Sequence, residues 1–259
     1  MEIAINIDHN YVPYATVMLE SLIRNGSKDG VALHLLYESL SEYDIEILRQ
    51  LMKKNNGQLR TYKMDSQIFQ GFPDLQRWTV ETLFRLKIPE VLPKSLKRVL
   101  YLDVDMIVEK SLEELYFADF NNKSLIVCRN TDGKVNEKEK NALWNRGEDI
   151  PYFNAGVLLL NLEKIRQVCC FQKYCDIVRD RQEMFPYLDQ DLLNYVFGED
   201  VKYVSSERYN CIISPETEHF PDDAAIYHFG TGDKPWLKKE SSRYYEIWWK
   251  YARIKIHEV

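Results

Sequence analysis

Apolar and polar positions alternate in a way that divides the first hundred residues into strand-like and helix-like segments. Ile3-Ala4-Ile5-Asn6-Ile7 predicts a first strand, closed by the polar Asp8-His9-Asn10. Tyr11, Ala15, Met18 and Leu22 then recur at helical spacing until Asn25-Gly26 ends the run. Val31 to Tyr37 predicts a second strand. Ser41-Glu42-Tyr43-Asp44 opens a helix whose apolar face is Ile45, Leu48, Leu51 and Met52, stopped at Asn56-Gly57. Leu59 to Lys63 predicts a third strand. Strand, helix, strand, helix, strand is the order of a parallel sheet wound with crossover helices.

Met64 to Trp78 has turn residues and no period, and predicts a loop. Thr79 to Leu92 predicts a helix on Leu83, Leu86 and Ile88, ended by Pro93. The apolar run Val99-Leu100-Tyr101-Leu102 predicts a buried strand with Asp103 and Asp105 at its end. Leu125 to Cys128 predicts another short strand, and the charged stretch Asn130 to Asp149 a mobile flap or an inserted helix. Ala155 to Leu162 predicts a strong strand reached through Phe153-Asn154. Helical periods return over Leu162 to Arg181 and Asp189 to Phe197, and Ala224 to Phe229 predicts a last strand. The whole reads as one α/β domain.

Composition narrows the class. The net charge of −6 argues against non-specific nucleic-acid binding, so no nucleic-acid partner is expected. Five cysteines without CxxC spacing or a nearby His array predict reduced thiols and not a zinc site. Met1-Glu2 runs straight into the first strand with no signal-peptide pattern, and no apolar run approaches a membrane span. The expected compartment is the cytoplasm.

The chemistry gathers at strand ends. On extended backbone, Asp103 and Asp105 at i, i+2 point to the same side, and two like charges so close require a cation or hydrogen-bond donors. Mg²⁺ or Mn²⁺ suits such oxygens. Ligands of open α/β sheets sit outside the carboxyl ends of the strands, which puts Asp8-His9-Asn10 on the same rim as Asp103-Val104-Asp105. His228 could complete an oxygen-rich metal site suited to Mn²⁺, or stand half-buried in a turn. Gly230 and Gly232 would let a ligand approach the backbone, and Lys234 offers a point charge for phosphate. Simpler readings stay open: Asn154-Ala155-Gly156 as a strand-initiating turn, Leu188-Asp189-Gln190-Asp191 as a helix cap, Arg85 as a solvated face residue, Tyr11 as core.

Taken in order, six segments resemble the retaining glycosyltransferases of family 8, the group of the bacterial lipooligosaccharide galactosyltransferases and glycogenin. They are Asp8-His9-Asn10-Tyr11, Phe84-Arg85-Leu86, Val99 to Asp105, Tyr152 to Val157, Leu188-Asp189-Gln190-Asp191 and His228-Phe229-Gly230 through Trp236. The resemblance implies a single-domain GT-A fold, a Rossmann-like open mixed sheet flanked by helices, over residues 1–237. It implies a uridine pocket of Asp8, Asn10 and Tyr11, Mn²⁺ or Mg²⁺ ligands Asp103, Asp105 and His228, and diphosphate contacts from Lys234 with the Gly230 and Gly232 backbone. Arg85, Val104, Asn154, Asp189 and Gln190 would then meet the UDP-hexose donor. Family members retain anomeric configuration; Gln190 or Asp189 is the candidate catalytic group, and because an amide is a poor nucleophile a front-face attack is expected.

The resemblance leaves galactose and glucose both open as the sugar, since Asn130 stands where some relatives carry an aspartate. It implies a carbohydrate, lipid-linked or protein-linked acceptor at the cell surface. Other readings are a phosphohydrolase with Asp103 as nucleophile and Asp105 as acid/base, or a UDP-sugar binding protein without turnover. The aromatic and basic segment 238–259, with Tyr244, Tyr245, Trp248 and Trp249 among Arg243, Lys250, Arg253 and Lys255, predicts a C-terminal helix. It would either pack on the domain or touch an acceptor or an anionic membrane surface as a peripheral contact.

Overall fold

The computed structural model describes residues 1–73, 79–238 and 240–256, without the side chains of Gln182 and of residues 253–256. Ten strands are described: β1 (Glu2–Asn6), β2 (Ala32–Tyr37), β3 (Gln58–Lys63), β4 (Arg98–Leu102), β5 (Met106–Val108), β6 (Leu125–Arg129), β7 (Phe153–Asn161), β8 (Val201–Val204), β9 (Cys211–Ile212) and β10 (Ile226–His228). The helices are α1 (Val12–Asn25), α2 (Glu42–Lys54), α3 (Ile88–Val91), α4 (Glu113–Tyr116), α5 (Glu137–Leu143), α6 (Leu162–Val168), α7 (Phe171–Arg181), α8 (Leu188–Phe197), α9 (Ser206–Tyr209) and α10 (Arg243–Ile256).

Seven strands form one sheet in the order β3-β2-β1-β4-β7-β6-β8, and β5-β10-β9 form a second. β1 to β4 run parallel, whereas β7 is antiparallel to both β4 and β6, so the large sheet is mixed. The apolar runs arise because helices cover both faces: Ile3, Ile5, Leu100 and Leu102 enter one core cluster, and Ala4, Val99 and Tyr101 the other. The edge strand β3 is exposed at Gln58, Arg60, Thr61 and Lys63, and the charges of Arg60 and Lys63 suit a solvated edge. Helix α2 starts as the sequence predicts, with Ser41 and Asp44 in a reciprocal capping box.

Several elements depart from expectation. Val80–Lys87 is a 3₁₀ helix, followed by the single turn α3, which Pro89 enters in the first turn where its missing N–H is tolerated. The helical stretch over Leu162 to Arg181 breaks at Cys169, which is extended, into α6 and α7. The stretch 130–149 holds the inserted helix α5. The predicted loop includes a 3₁₀ turn at Ser66–Phe69, and its residues 74–78 lie outside the described residues.

The C-terminal helix turns its aromatics inward. Tyr244, Tyr245 and Trp248 are 1%, 4% and 1% exposed and pack with Phe229, Ile107 and Val17. These three rings are core, and Trp249 beside them is half-buried. The side chains of Arg253 and Lys255, and residues 257–259, lie outside the described residues. No described helix is long and apolar enough to cross a membrane.

Candidate active site

The site forms where the chain crosses from one sheet to the other. β4 ends at Leu102, so Asp103 and Asp105 do not share a continuous strand as the spacing suggests. Asp103 stays with the large sheet, its N–H donating to the Gly156 carbonyl at 2.9 Å, while the Asp105 carbonyl accepts from Phe229 N–H of the small sheet at 2.9 Å. The crossing brings the two carboxylates together with His228, at the end of β10, and one ligand atom from each lies within 4.8 Å of the others. Val104 between them is buried.

Each carboxylate has a cation. Arg85 Nη2 lies 2.9 Å from Asp103 Oδ1, and Tyr101 Oη donates to the same oxygen at 2.7 Å. Arg85 is buried: its Nε donates to the Thr82 carbonyl and lies 3.2 Å from Asp189 Oδ2, its Nη1 donates to the Ala155 carbonyl, and its guanidinium covers the Tyr101 ring. This corrects the simple reading of Arg85 as a solvated face residue. Lys234 Nζ lies 2.7 Å from Asp105 Oδ2, and His228 Nε2 is 3.3 Å from Asp105 Oδ1. Burial alone would push the Asp105 carboxyl up, but the Lys234 ammonium and the His228 imidazole outweigh it and hold it well below the usual carboxylate range. For Lys234 the same pairing outweighs burial and raises its pKa.

A bulge in β7 builds the floor. Pairing with β6 jumps from Val127↔Leu158 to Cys128↔Asn154, leaving Ala155-Gly156-Val157 without partners on that side. The freed Ala155 N–H donates to Gln190 Oε1 at 2.9 Å, and Gly156 N–H donates to Asn154 Oδ1 at 2.9 Å. A Cβ on Gly156 would lie 2.7 Å from His228 Cε1 and 2.9 Å from both Asn154 Oδ1 and Asp103 Oδ2, so only glycine fits between these side chains. This tight oxygen and imidazole donor set fits a hard divalent cation.

Gln190 is held at its other end by Tyr152, whose hydroxyl accepts from Nε2 at 3.2 Å and donates to buried Asp191 at 2.7 Å. Asp189 is buried beside Arg85. Burial pushes its carboxyl up to about 6, the guanidinium pulling the other way and Asp103 adding to the rise. On the far rim, Asp8 accepts from the Tyr11 N–H at 3.0 Å as a cap, Asn10 is exposed, and Tyr11 lies edge-on to Trp236 at 6.4 Å between centroids. Gly230 and Gly232 are exposed beside His228 and Lys234. Hydrogen bonds and ion pairs thus join Arg85, Asp103, Asp105, Asp189, His228 and Lys234 in two linked clusters, with Asn154 and Gln190 beside them on the β7 floor. Tyr101 and Tyr152, inside two of the segments that carry the resemblance but given no role there, join them through Asp103 two residues on and through α8; Asn210 joins them from outside every such segment, through Asn154 and His228.

A sequence profile described as Glycosyl transferase family 8 matches residues 2–240. A lipopolysaccharide 1,2-glucosyltransferase of Escherichia coli is 28% identical over 89% of the chain and 71% of its own length. A lipopolysaccharide 1,3-galactosyltransferase of Salmonella typhimurium is 26% identical over 90% of the chain and 72% of its own length. The solved galactosyltransferase LgtC, in complex with donor and acceptor sugar analogues, superposes with a TM-score of 0.83 at 25% identity, covering 98% of this chain and 96% of that one.

Proposed function

The chain belongs to glycosyl transferase family 8, and on that premise we propose that it moves a hexose, galactose or glucose, from a UDP-sugar to a cell-surface glycan, glycolipid or glycoprotein. The observation that carries this reading is the convergence of Asp103, Asp105 and His228 within 4.8 Å, next to Lys234. Relatives named as lipopolysaccharide glucosyl- and galactosyltransferases support the two sugars.

Asp103, Asp105 and His228 would hold Mn²⁺ or Mg²⁺, whose charge would stabilise the departing diphosphate. Tyr11 would stack on the uracil, with Asp8 fixing its backbone and Asn10 open to the nucleoside. Lys234, already aimed at Asp105, would share its ammonium with a phosphate oxygen, and the exposed backbone at Gly230 and Gly232 would lie alongside. Asp189, Asn154 and Arg85 would orient the sugar.

Gln190 has its carbonyl oxygen engaged by Ala155 N–H and its amide by Tyr152. So held, it suits a dipole beside the anomeric carbon better than a nucleophile. We therefore favour attack from the face the UDP leaves, a phosphate oxygen of the leaving group taking the acceptor's proton.

The reading is tested by incubating the chain with a panel of UDP-hexoses and following UDP. Slow release from one donor, accelerated by an acceptor glycan, supports it and names the sugar. Phosphate release from monoesters without any effect of uridine nucleotides would favour a phosphohydrolase. Saturable UDP-sugar binding without turnover would favour a binding protein.

A further inference from the structure

Asn210 follows α9, outside every segment given a role above, and is fully buried. Its Oδ1 lies 2.8 Å from His228 Nδ1, and its Nδ2 donates to Asn154 Oδ1 at 2.9 Å. The direction of this chain of amides is fixed by backbone. Gly156 N–H can only donate, and it donates to Asn154 at 2.9 Å, so the atom it meets is the carbonyl oxygen. The Asn210 group on that same oxygen must then be its NH₂, which leaves the Asn210 oxygen facing His228. An oxygen only accepts here, so His228 Nδ1 carries a hydrogen. Nε2 is the ring atom left on the side of Asp105, 3.3 Å away. Asn154 Nδ2 is turned the opposite way, toward Asn130 Oδ1 at 3.4 Å.

We propose that Asn210 is a positioning residue that fixes the His228 ring and the Asn154 amide together, coupling the metal ligands to the sugar side of the site; this rests on the metal-site reading above. Its oxygen commits Nδ1–H and so presents Nε2 as the ligand atom. Its NH₂ commits the Asn154 oxygen and so presents the Asn154 NH₂ outward. Asn210 has no exposed surface, so bulk solvent does not compete for either arm. Outer partners of metal-binding histidines act in this way, and their loss weakens metal binding by about 10- to 100-fold.

The test is Mn²⁺ binding to the full chain, followed by electron paramagnetic resonance with the histidine ¹⁴N coupling as a signature, in wild type, Asn210→Ala and Asn210→Asp. Asn210→Ala should bind Mn²⁺ about 10- to 100-fold more weakly, with a changed ¹⁴N coupling. Asn210→Asp keeps an acceptor for His228 but has no NH₂ for Asn154; it should keep Mn²⁺ affinity and bind UDP-sugar more weakly at saturating Mn²⁺. A folded Asn210→Ala with wild-type Mn²⁺ affinity would overturn the proposal and leave the metal reading intact. Wild type that binds no Mn²⁺ would overturn the metal reading itself and this proposal with it. If the alanine variant does not fold, the aspartate variant decides: unchanged affinity for UDP-sugar overturns the proposal.

Discussion

Lys140 on the inserted helix α5 reaches Asp191 on α8, Nζ to carboxylate oxygen 2.8 Å, with Asp191 fully buried. Asp191 also accepts from Tyr152 and from the Tyr187 N–H, and Tyr152 in turn holds Gln190. The polar insertion is thus tied into the site by a buried ion pair. Removing one partner strands the other charge, which typically costs about 3–5 kcal/mol, whereas removing both does not. Lys140→Met should lower stability by about that much, and Lys140→Met with Asp191→Asn should recover part of it. Urea unfolding of wild type, Lys140→Met, Asp191→Asn and the double variant checks this; additive losses would mean that the pair is not coupled.

Gly156 predicts a loss of function without a lost contact. A methyl there would lie under 3.0 Å from His228, Asn154 and Asp103 together, so at least one must move. Misplacement of about 1 Å at a reacting centre can cost about 100-fold. Gly156→Ala should lose turnover on that scale; retention of more than half of wild-type turnover would show that the cradle yields freely.

Asp189 gives a pH signature. Its folded pKa of about 6 lies above the ordinary 3.8, so the native state binds the proton more tightly than the unfolded chain does. The stability contributed by the neutral form is present in full below pH 3.8 and is lost as pH rises through about 6. The span corresponds to on the order of 3 kcal/mol. Asn cannot ionise, so Asp189→Asn should gain stability relative to wild type as pH rises from 4 to 7 while losing activity. Urea midpoints at the two pH values test it, and a constant difference between the chains would contradict it.

Much of this was legible in the chain. β1, β2, β4 and β7 stand out because cover on both faces makes them continuous apolar runs. Asp103 and Asp105 stand out because two like charges so close need an offset, whereas His228 alone reads as a half-buried turn residue and joins them only through the resemblance. The short β5, β8 and β9 leave too few residues for a period. Arg85 reads as exposed because a cation in an apolar run usually points to water; here two carboxylates and the Tyr101 face receive it. Asn210 carries no charge or periodicity, and only the approach of β9 to β10 gives it partners.

The C-terminal helix should behave as core. Trp248 packs on Phe229 and Trp236, and Trp236 stacks on Tyr14 at 4.0 Å between centroids. Trp248→Ala should cost about 3–5 kcal/mol. It should also raise the KM for donor, because Lys234 lies in the loop that these rings hold. Thermal unfolding and donor kinetics check the two effects; an unchanged melting temperature would mean the helix is an appendage.

The central claim is that Asp103, Asp105 and His228 bind a divalent metal on which UDP-sugar use depends. It is tested most directly by UDP-sugar calorimetry on wild type and Asp105→Asn, with Mn²⁺ and then with EDTA. The account predicts saturable binding by wild type with Mn²⁺, lost in EDTA and lost in Asp105→Asn. Binding of equal strength in all four conditions would contradict it.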